Sequence, residues 1–388
     1  MTAAEPLVPR YGETSLSDLV PSVLAALGLP GFANRLGIER LPGVCVLVVD
    51  GLGWELLREH RDTGPFLAAA SDRGRPITAG FPSTTSASLA SLGTGLPPGQ
   101  HGLVGYTFAV PGLDRPINSL HWVPYGFGST EDLRDLLVPE QLQPEPTVLE
   151  RAAAAGTEIT LVGPAAHAGS GLTRAILRGG RYLPADSLDE LVQAVAAAFA
   201  EGRTSVYAYH PFLDTYGHVR GVGSEEWLGH LQQVDHAVSA LADRLPPGFA
   251  LVVTADHGML NIPEGGKLDV ADEPALLEGV RMLGGEARAR HVYAWPGAEG
   301  DVLAAWRETV GDRMWVCTGD EAIAAGWFGP KVLDRVRPRI GDVVAAAHEP
   351  IGVFQREVDP LQASLIGHHG SLTQVEQLVP FLLFRPEG

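Results

Sequence analysis

Four short apolar runs punctuate the chain: VCVLVVD over 44–50, EITLVG over 158–163, TSVYAYH over 204–210 and FALVVTAD over 249–256. Each is rich in β-branched residues and bounded by turn formers, the pattern of parallel strands covered on both faces. Between them apolar positions recur every three to four residues, in LDELVQAVAAAFA (188–200) and EEWLGHLQQVDHAVSALADRL (225–245). That spacing predicts amphipathic helices. Strands alternating with helices predict an α/β fold, a mostly parallel central sheet with helices on both faces. Residues 270–340 carry an alternation of their own: HVYAWPG, VLAAWRETVG, RMWVCTG, then DEAIAAGWFG. This predicts a small α+β cap inserted into a single domain over 1–388, with the chain rejoining the main sheet near VVAAA (343–347).

Composition adds exclusions. The chain has 388 residues, 45% hydrophobic and 19% charged, as ordinary globular proteins do. With 28 Lys and Arg against 46 Asp and Glu the net charge is −18, which argues against a nucleic-acid polymer as partner. A small anionic substrate remains compatible if metal ions bring positive charge to the site. Cys45 and Cys317 make no disulfide framework, and Cys45 in its apolar run reads as a buried free thiol. The opening MTAAEPLVPRYGETSLSDLV lacks a basic start followed by an apolar stretch, and no run reaches the roughly 20 apolar residues of a membrane span. The expectation is a cytoplasmic protein without a membrane partner.

The polar residues that stand out lie at the carboxyl ends of the expected strands, where open α/β sheets build their sites. Asp50 ends the first run, Asp214 and His218 follow the third, Asp256 and His257 end the fourth, and His369 sits in a GHHG segment. Three Asp and three His are donors that zinc accepts. One Asp at a strand end is more often a helix cap or turn former; the recurrence at four chain positions is what points to metal. A candidate nucleophile lies in GFPSTTSASLASLGTG, where Pro82 ends an extended stretch and SASLASLG suits a helix. A hydroxyl there faces the positive end of the helix dipole, and metal coordination would supply an alkoxide at neutral pH. Position alone does not choose among Ser83, Thr84, Thr85 and Ser86.

These pieces resemble the alkaline phosphatase superfamily, and within it the type I phosphodiesterases/nucleotide pyrophosphatases and phosphonoacetate hydrolase. The matching segments are Asp50-Gly51, FPSTTSAS…TGLPPGQHG, DTYGH, ADHG and GHHG, in the family's order and spanning 44 to 370. The resemblance implies an alkaline phosphatase-like fold and a hydrolase of phosphate esters. It places Thr85 as nucleophile, one metal ion on Asp214, His218 and His369, and another on Asp50, Asp256, His257 and the Thr85 oxygen. Two divalent ions are implied, zinc by donor type with manganese as the alternative, and a phospho-threonine hydrolysed by water. His368 occupies the variable place of the G-x-H-G pattern.

One departure stands out. Diesterases of this family often carry an Asn three residues after the nucleophile, touching a non-bridging phosphoryl oxygen; here that place is Ser88. The Arg and third-metal features of true alkaline phosphatases are not recognisable, which favours a diester or pyrophosphate over a monoester. The sulfatase C-x-[PA]-x-R block is absent. Alternatives on the same scaffold are cleavage of a C–P bond and phosphoryl transfer as in the metal-dependent phosphoglycerate mutases, which use a serine. A catalytically silent binding protein is a further alternative, and a metal-free Ser-His-Asp hydrolase lacks its G-x-S-x-G elbow. Specificity is expected from roughly 103–145 and 270–340, whose Tyr106, Phe108, Trp122, Tyr125, Phe127 and Trp295 offer rings to stack on a base or aryl group or simply pack.

Overall fold

Val44–Val49 (β1) is the middle strand of a seven-stranded sheet, and all six of its residues are buried. Each buried Val or Leu contributes about 1.5–3 kcal/mol, so this run is fixed by burial alone. A computed structural model describes residues 5–386; the reading of the amino terminus falls partly on residues 1–4, outside the described residues. The main sheet adds β2 (Arg75–Thr78), β3 (Thr160–Gly163), β4 (Arg181–Pro184), β5 (Ser205–His210) and β6 (Ala250–Thr254). A second sheet contains β7 (Val280–Glu286), β8 (Ala289–Ala294), β9 (Met314–Thr318) and β10 (Val343–Ala347), after which β11 (Leu378–Phe384) closes the first. The order in the main sheet is β2-β11-β6-β1-β5-β3-β4. β11 pairs antiparallel with both neighbours; the other pairings are parallel. The mostly parallel α/β sheet expected from the four apolar runs is the one observed.

The flanking helices follow their sequence periodicity. Helix α1 (Thr85–Thr94) precedes α2 (Leu188–Ala200), whose Leu191, Val192, Val195, Ala198 and Phe199 form one buried stripe. Ser187 caps α2 by accepting from the Glu190 N–H, satisfying one of the donors a helix start leaves free. After the short α3 (Phe212–Arg220) comes α4 (Glu225–Ala242), capped by Ser224 and buried through Trp227, Leu231, Val234 and Val238.

Residues 280–347 form a four-stranded antiparallel sheet in the order β7-β8-β10-β9, packed by α5 (Glu299–Val310) through Val302, Trp306 and Val310. Val302, Trp306 and Val310 belong to a hydrophobic cluster distinct from the main core. The expectation for 343–347 needs correcting. VVAAA is β10, an inner strand of this second sheet, and the chain rejoins the main sheet only with β11. A short, wholly apolar run fits the middle of either sheet, so composition could not assign it.

Candidate metal centre and adjoining cavity

The carboxyl edge of β1, β5 and β6 gathers the expected donors. Asp50 follows β1 and Asp256-His257 follows β6; Asp214 and His218 lie one turn apart on α3, just after β5. His369 comes from the segment before β11. His257 Nε2 is 3.4 Å from Asp50 Oδ1 and 3.4 Å from Asp256 Oδ2. His218 Nε2 is 3.3 Å from Asp214 Oδ2 and 3.3 Å from His369 Nε2. Two groups have donor atoms within 4.8 Å of one another: Asp50 with Asp256 and His257, and Asp214 with His257 and His369. His257 stands between the two, and its ring stacks on that of His369 at 3.5 Å between centroids. All six expected ligands are thus brought to one place, with His218 attached through Asp214 and His369.

The three imidazoles are oriented alike. Nδ1 of His218 lies 2.7 Å from the Gly367 carbonyl, Nδ1 of His257 is 3.1 Å from that of Gly258, and Nδ1 of His369 is 2.8 Å from that of Ser83. A carbonyl only accepts, so each Nδ1 carries a proton, and Nε2 is the nitrogen whose lone pair is offered to a metal when the ring is neutral. Those lone pairs meet carboxylate oxygens that lack donors: Asp50 Oδ1, Asp214 Oδ1 and Asp256 Oδ2 are buried without a hydrogen-bond partner. A buried unpaired carboxylate is costly, and three beside three imidazole lone pairs make a donor set without an acceptor. A divalent cation fits that set.

Electrostatics agrees. Burial pushes the Asp50 carboxyl well above the ordinary range, and Asp256 and Asp214 push it further. Burial also raises Asp256. Asp214 goes the other way, because His218 and His369 outweigh its burial. Burial, then the charge of His257, depresses His369 far below an ordinary histidine.

The structure separates the four adjacent hydroxyls. Ser83 Oγ donates to the Ser371 carbonyl at 2.8 Å and Ser86 Oγ to that of Gly105 at 2.8 Å, so both are engaged elsewhere. Thr84 is buried at the N-cap of α1. Thr85, the first residue of that helix, lies with Oγ1 3.3 Å from His257 Nε2. Ser88 is fully buried with its hydroxyl unpartnered, and the cavity beside the centre is lined by Thr85 and Leu89 but not by Ser88.

That cavity has a volume of about 650 Å³ and opens from Asp50, Thr85 and Asp214 toward residues 120–134 and 161–182. No described residue of 270–340 lines it, so the cap is not the wall that the sequence suggested. Nor do Tyr106, Phe108, Trp122, Tyr125, Phe127 or Trp295 line it; Trp122, Phe108 and Tyr125 are core residues, while Phe127 and Trp295 are exposed. The rings in the lining include Tyr182, Tyr207 and Tyr209, which sequence reasoning passed over. Tyr209 donates its hydroxyl to Asp50 Oδ2. The available signal was the spacing in SVYAYH, which turns Tyr207 and Tyr209 to one face of β5.

A second buried pair supports the ligand loops. Arg288 on β8's leading turn binds both carboxylate oxygens of Glu376, at 2.7 and 2.8 Å. Glu376 also accepts from Ser371 N–H at 3.0 Å, and its carbonyl accepts from Gly258 N–H at 2.9 Å. Glu376 thereby ties the loop after His257, through its carbonyl, to the loop after His369, through its side chain.

Fold and donor set define an alkaline phosphatase superfamily scaffold. The chain belongs to the type I phosphodiesterase / nucleotide pyrophosphatase family, whose model matches residues 44–372. Among solved structures it is similar to murine ectonucleotide pyrophosphatase / phosphodiesterase 5, with a TM-score of 0.67, 20% identity, and 89% of this chain and 88% of that one covered. An inactive threonine-to-alanine variant of that murine protein, in complex with AMP, matches at 18% identity, a TM-score of 0.66 and the same coverage, 89% and 88%. Phosphonoacetate hydrolase from Sinorhizobium meliloti, in complex with phosphonoacetate, matches with a TM-score of 0.66 and 20% identity over 90% and 91% of the two chains. At these identities the likeness is one of fold. Curated relatives include phosphopentomutases: one from Sinorhizobium fredii is 30% identical over 197 residues, 46% of each chain. One from Rhizobium rhizogenes is 28% identical over 260 residues, 64% of this chain and 56% of that one. The chain spans about half the length of the curated relatives it matches. Among the described residues no helix is long and apolar enough to cross a membrane.

Proposed function

We propose that the protein is a two-metal phosphoesterase, loaded with zinc, that hydrolyses a phosphodiester or nucleotide-pyrophosphate-type bond through a phospho-threonine at Thr85. The observation that carries this reading is Thr85 Oγ1 at the start of α1, 3.3 Å from His257 Nε2 and beside carboxylates without donors. One ion would be held by Asp50, Asp256, His257 and Thr85, the other by Asp214, His218 and His369. Bound there, the ions would lower the pKa of the Thr85 hydroxyl and of a water and would neutralise charge on the phosphoryl group; three Asp and three His suit zinc, with manganese the alternative.

The chain's own residues do the rest. Thr85 loses its proton and Oγ1 forms a bond to phosphorus, while the bond from phosphorus to the leaving oxygen breaks and that oxygen departs with the electron pair. Water then attacks phosphorus, the bond to Oγ1 breaks, and Thr85 recovers a proton. The start of α1 points its free N–H groups and positive dipole end at the developing charge. Tyr209 keeps Asp50 in place by donating to its second oxygen.

The test is Thr85→Ala. We expect turnover of aryl phosphodiesters to fall by at least about 10⁴-fold, with the fold and most bound zinc retained. Full activity in that variant would sink the assignment. The phosphopentomutase relatives favour a second reading, phosphoryl transfer within a sugar phosphate. Isomerisation of a pentose 1-phosphate without release of inorganic phosphate would select it.

A further inference from the structure

The cavity beside Thr85 has a chemical character that narrows the substrate. Its walls come from two segments that the structure locks together. Trp122 is the only non-glycine residue with positive φ (60°) among the described residues, a backbone state that costs on the order of 1–3 kcal/mol and persists only where the surroundings enforce it. Here they do: a Cβ on Gly171 would meet the Trp122 ring at 2.4 Å, and the Trp122 indole N–H donates to the Leu137 carbonyl at 2.7 Å. The neighbours Leu120, His121 and Val123 line the cavity, as does Gly171. The wall is therefore built and held, not an accident of loose loops.

Its charge is the informative part. The only Lys or Arg among the described lining residues is Arg134. That guanidinium is paired with Asp132, with Nε 2.9 Å from both carboxylate oxygens, and its Nη1 donates to the Gly169 carbonyl at 3.2 Å. His167, also in the lining, is pushed below an ordinary histidine by burial and by His121. Leu89, Leu120, Leu161, Leu172 and Ile176 supply apolar surface. Outside the proposed ligands, the one buried polar atom that the described lining leaves without a partner is the Tyr207 hydroxyl, a neutral donor. A polyphosphate or second phosphoryl group placed here would meet Asp132 and, among Lys and Arg, only the guanidinium of Arg134 that Asp132 already pairs.

We infer that this cavity receives an uncharged, apolar or aromatic ester group, so that the substrate is a monoanionic organic phosphodiester and not a nucleoside polyphosphate. The inference rests on the phosphoesterase reading above and narrows it. An apolar group in this pocket gains by leaving water, roughly 25 cal/mol for each Å² buried, whereas each added phosphate charge stays uncompensated.

Binding and turnover test it separately. Metal-loaded Thr85→Ala protein is titrated calorimetrically with diphenyl phosphate and with dimethyl phosphate; we expect diphenyl phosphate to bind at least tenfold tighter. With wild-type protein, kcat/KM for 4-nitrophenyl phenyl phosphate should exceed that for a nucleoside triphosphate by at least tenfold. Leu120→Lys, on the partly exposed rim, adds an unpaired cation and should raise the triphosphate-to-diester ratio about fivefold, the upper end for a solvent-exposed ion pair. Equal binding of the two diesters, a preference for the triphosphate, or an unchanged ratio in Leu120→Lys overturns the inference while leaving a phosphoesterase. Failure of the zinc- and manganese-loaded protein to turn over any phosphate ester counts against the phosphoesterase reading itself, and the diphenyl-to-dimethyl binding ratio then still decides the character of the pocket.

Discussion

Two clusters of buried charge, linked through the Gly258 N–H that donates to the Glu376 carbonyl, are built on opposite terms. In the Arg288–Glu376 pair both side chains are fully buried, and both carboxylate oxygens receive guanidinium donors, with Ser371 and Thr373 adding more. In the cluster of Asp50, Asp214 and Asp256, three buried oxygens receive none, and the imidazoles beside them present lone pairs. The first is complete within the polypeptide and holds the loops. The second would be completed by cations, and this difference separates the two clusters more sharply than residue identity does, since both consist of buried charged groups. Glu286 on β7 is an intermediate case: Oε2 accepts from Tyr106 N–H at 2.9 Å while Oε1 lacks a donor.

The strongest way to break the comparison is to strip the metal. Chelation should reduce hydrolysis to background and lower the melting temperature, because a ligand bound at a thousand times its Kd stabilises by about 4 kcal/mol. In stripped protein Asp256→Asn should raise the melting temperature, since it removes one of the crowded carboxylates; in metal-loaded protein it should lower it. The same sign in both states would show that the cluster is self-sufficient. Next in size, Arg288→Met leaves Glu376 buried without its cation, which costs about 3–5 kcal/mol and should appear as a fall of roughly 5–10 °C in melting temperature. An unchanged melting curve would remove the pair's scaffold role.

Tyr209→Phe sharpens the other side. It takes the donor from Asp50 without changing a ligand, and partners of that kind are worth about 10–100-fold in metal affinity or activity; zinc titration of the apo variant measures it. The smallest effect concerns Glu286. Burial raises its carboxyl to about 8, so the folded state holds a proton that the unfolded state releases near the ordinary value. Stability from this group is present below the unfolded value and is lost as pH rises toward 8. Glu286→Gln should therefore flatten the pH dependence of melting temperature between about pH 5 and 8 and raise it by a few degrees at pH 8. A slope identical to wild type would mean the carboxyl is not held protonated.

Much of this was legible along the chain, for identifiable reasons. The β-branched, largely apolar runs of β1, β5 and β6 pointed to a sheet covered on both faces, and the periodicity of α2 and α4 located both helices. The ligand types were legible because the sheet edge presents them next to the strands. The wall of the cavity was not. Tyr209 reads as any strand tyrosine until the fold sets it against Asp50, and Trp122 reads as a ring for stacking until Gly171 is found beneath it. The cap misled for the same reason: its contribution to the centre runs through Arg288 and Glu376, 88 residues apart in sequence.

The sequence by itself determined the parallel sheet, the two amphipathic helices and a set of three Asp and three His, because hydrophobic periodicity and donor chemistry are local properties of the chain. Among Ser83, Thr84, Thr85 and Ser86 the sequence pattern left Thr85 to a family resemblance. Tertiary structure shows where the four hydroxyls lie: Ser83 and Ser86 donate to carbonyls of Ser371 and Gly105, Thr84 is buried, and Thr85 meets His257. The lining of the cavity was likewise decided only in three dimensions, because it joins residues as far apart in sequence as Asp50, Leu120, Leu172 and Tyr209.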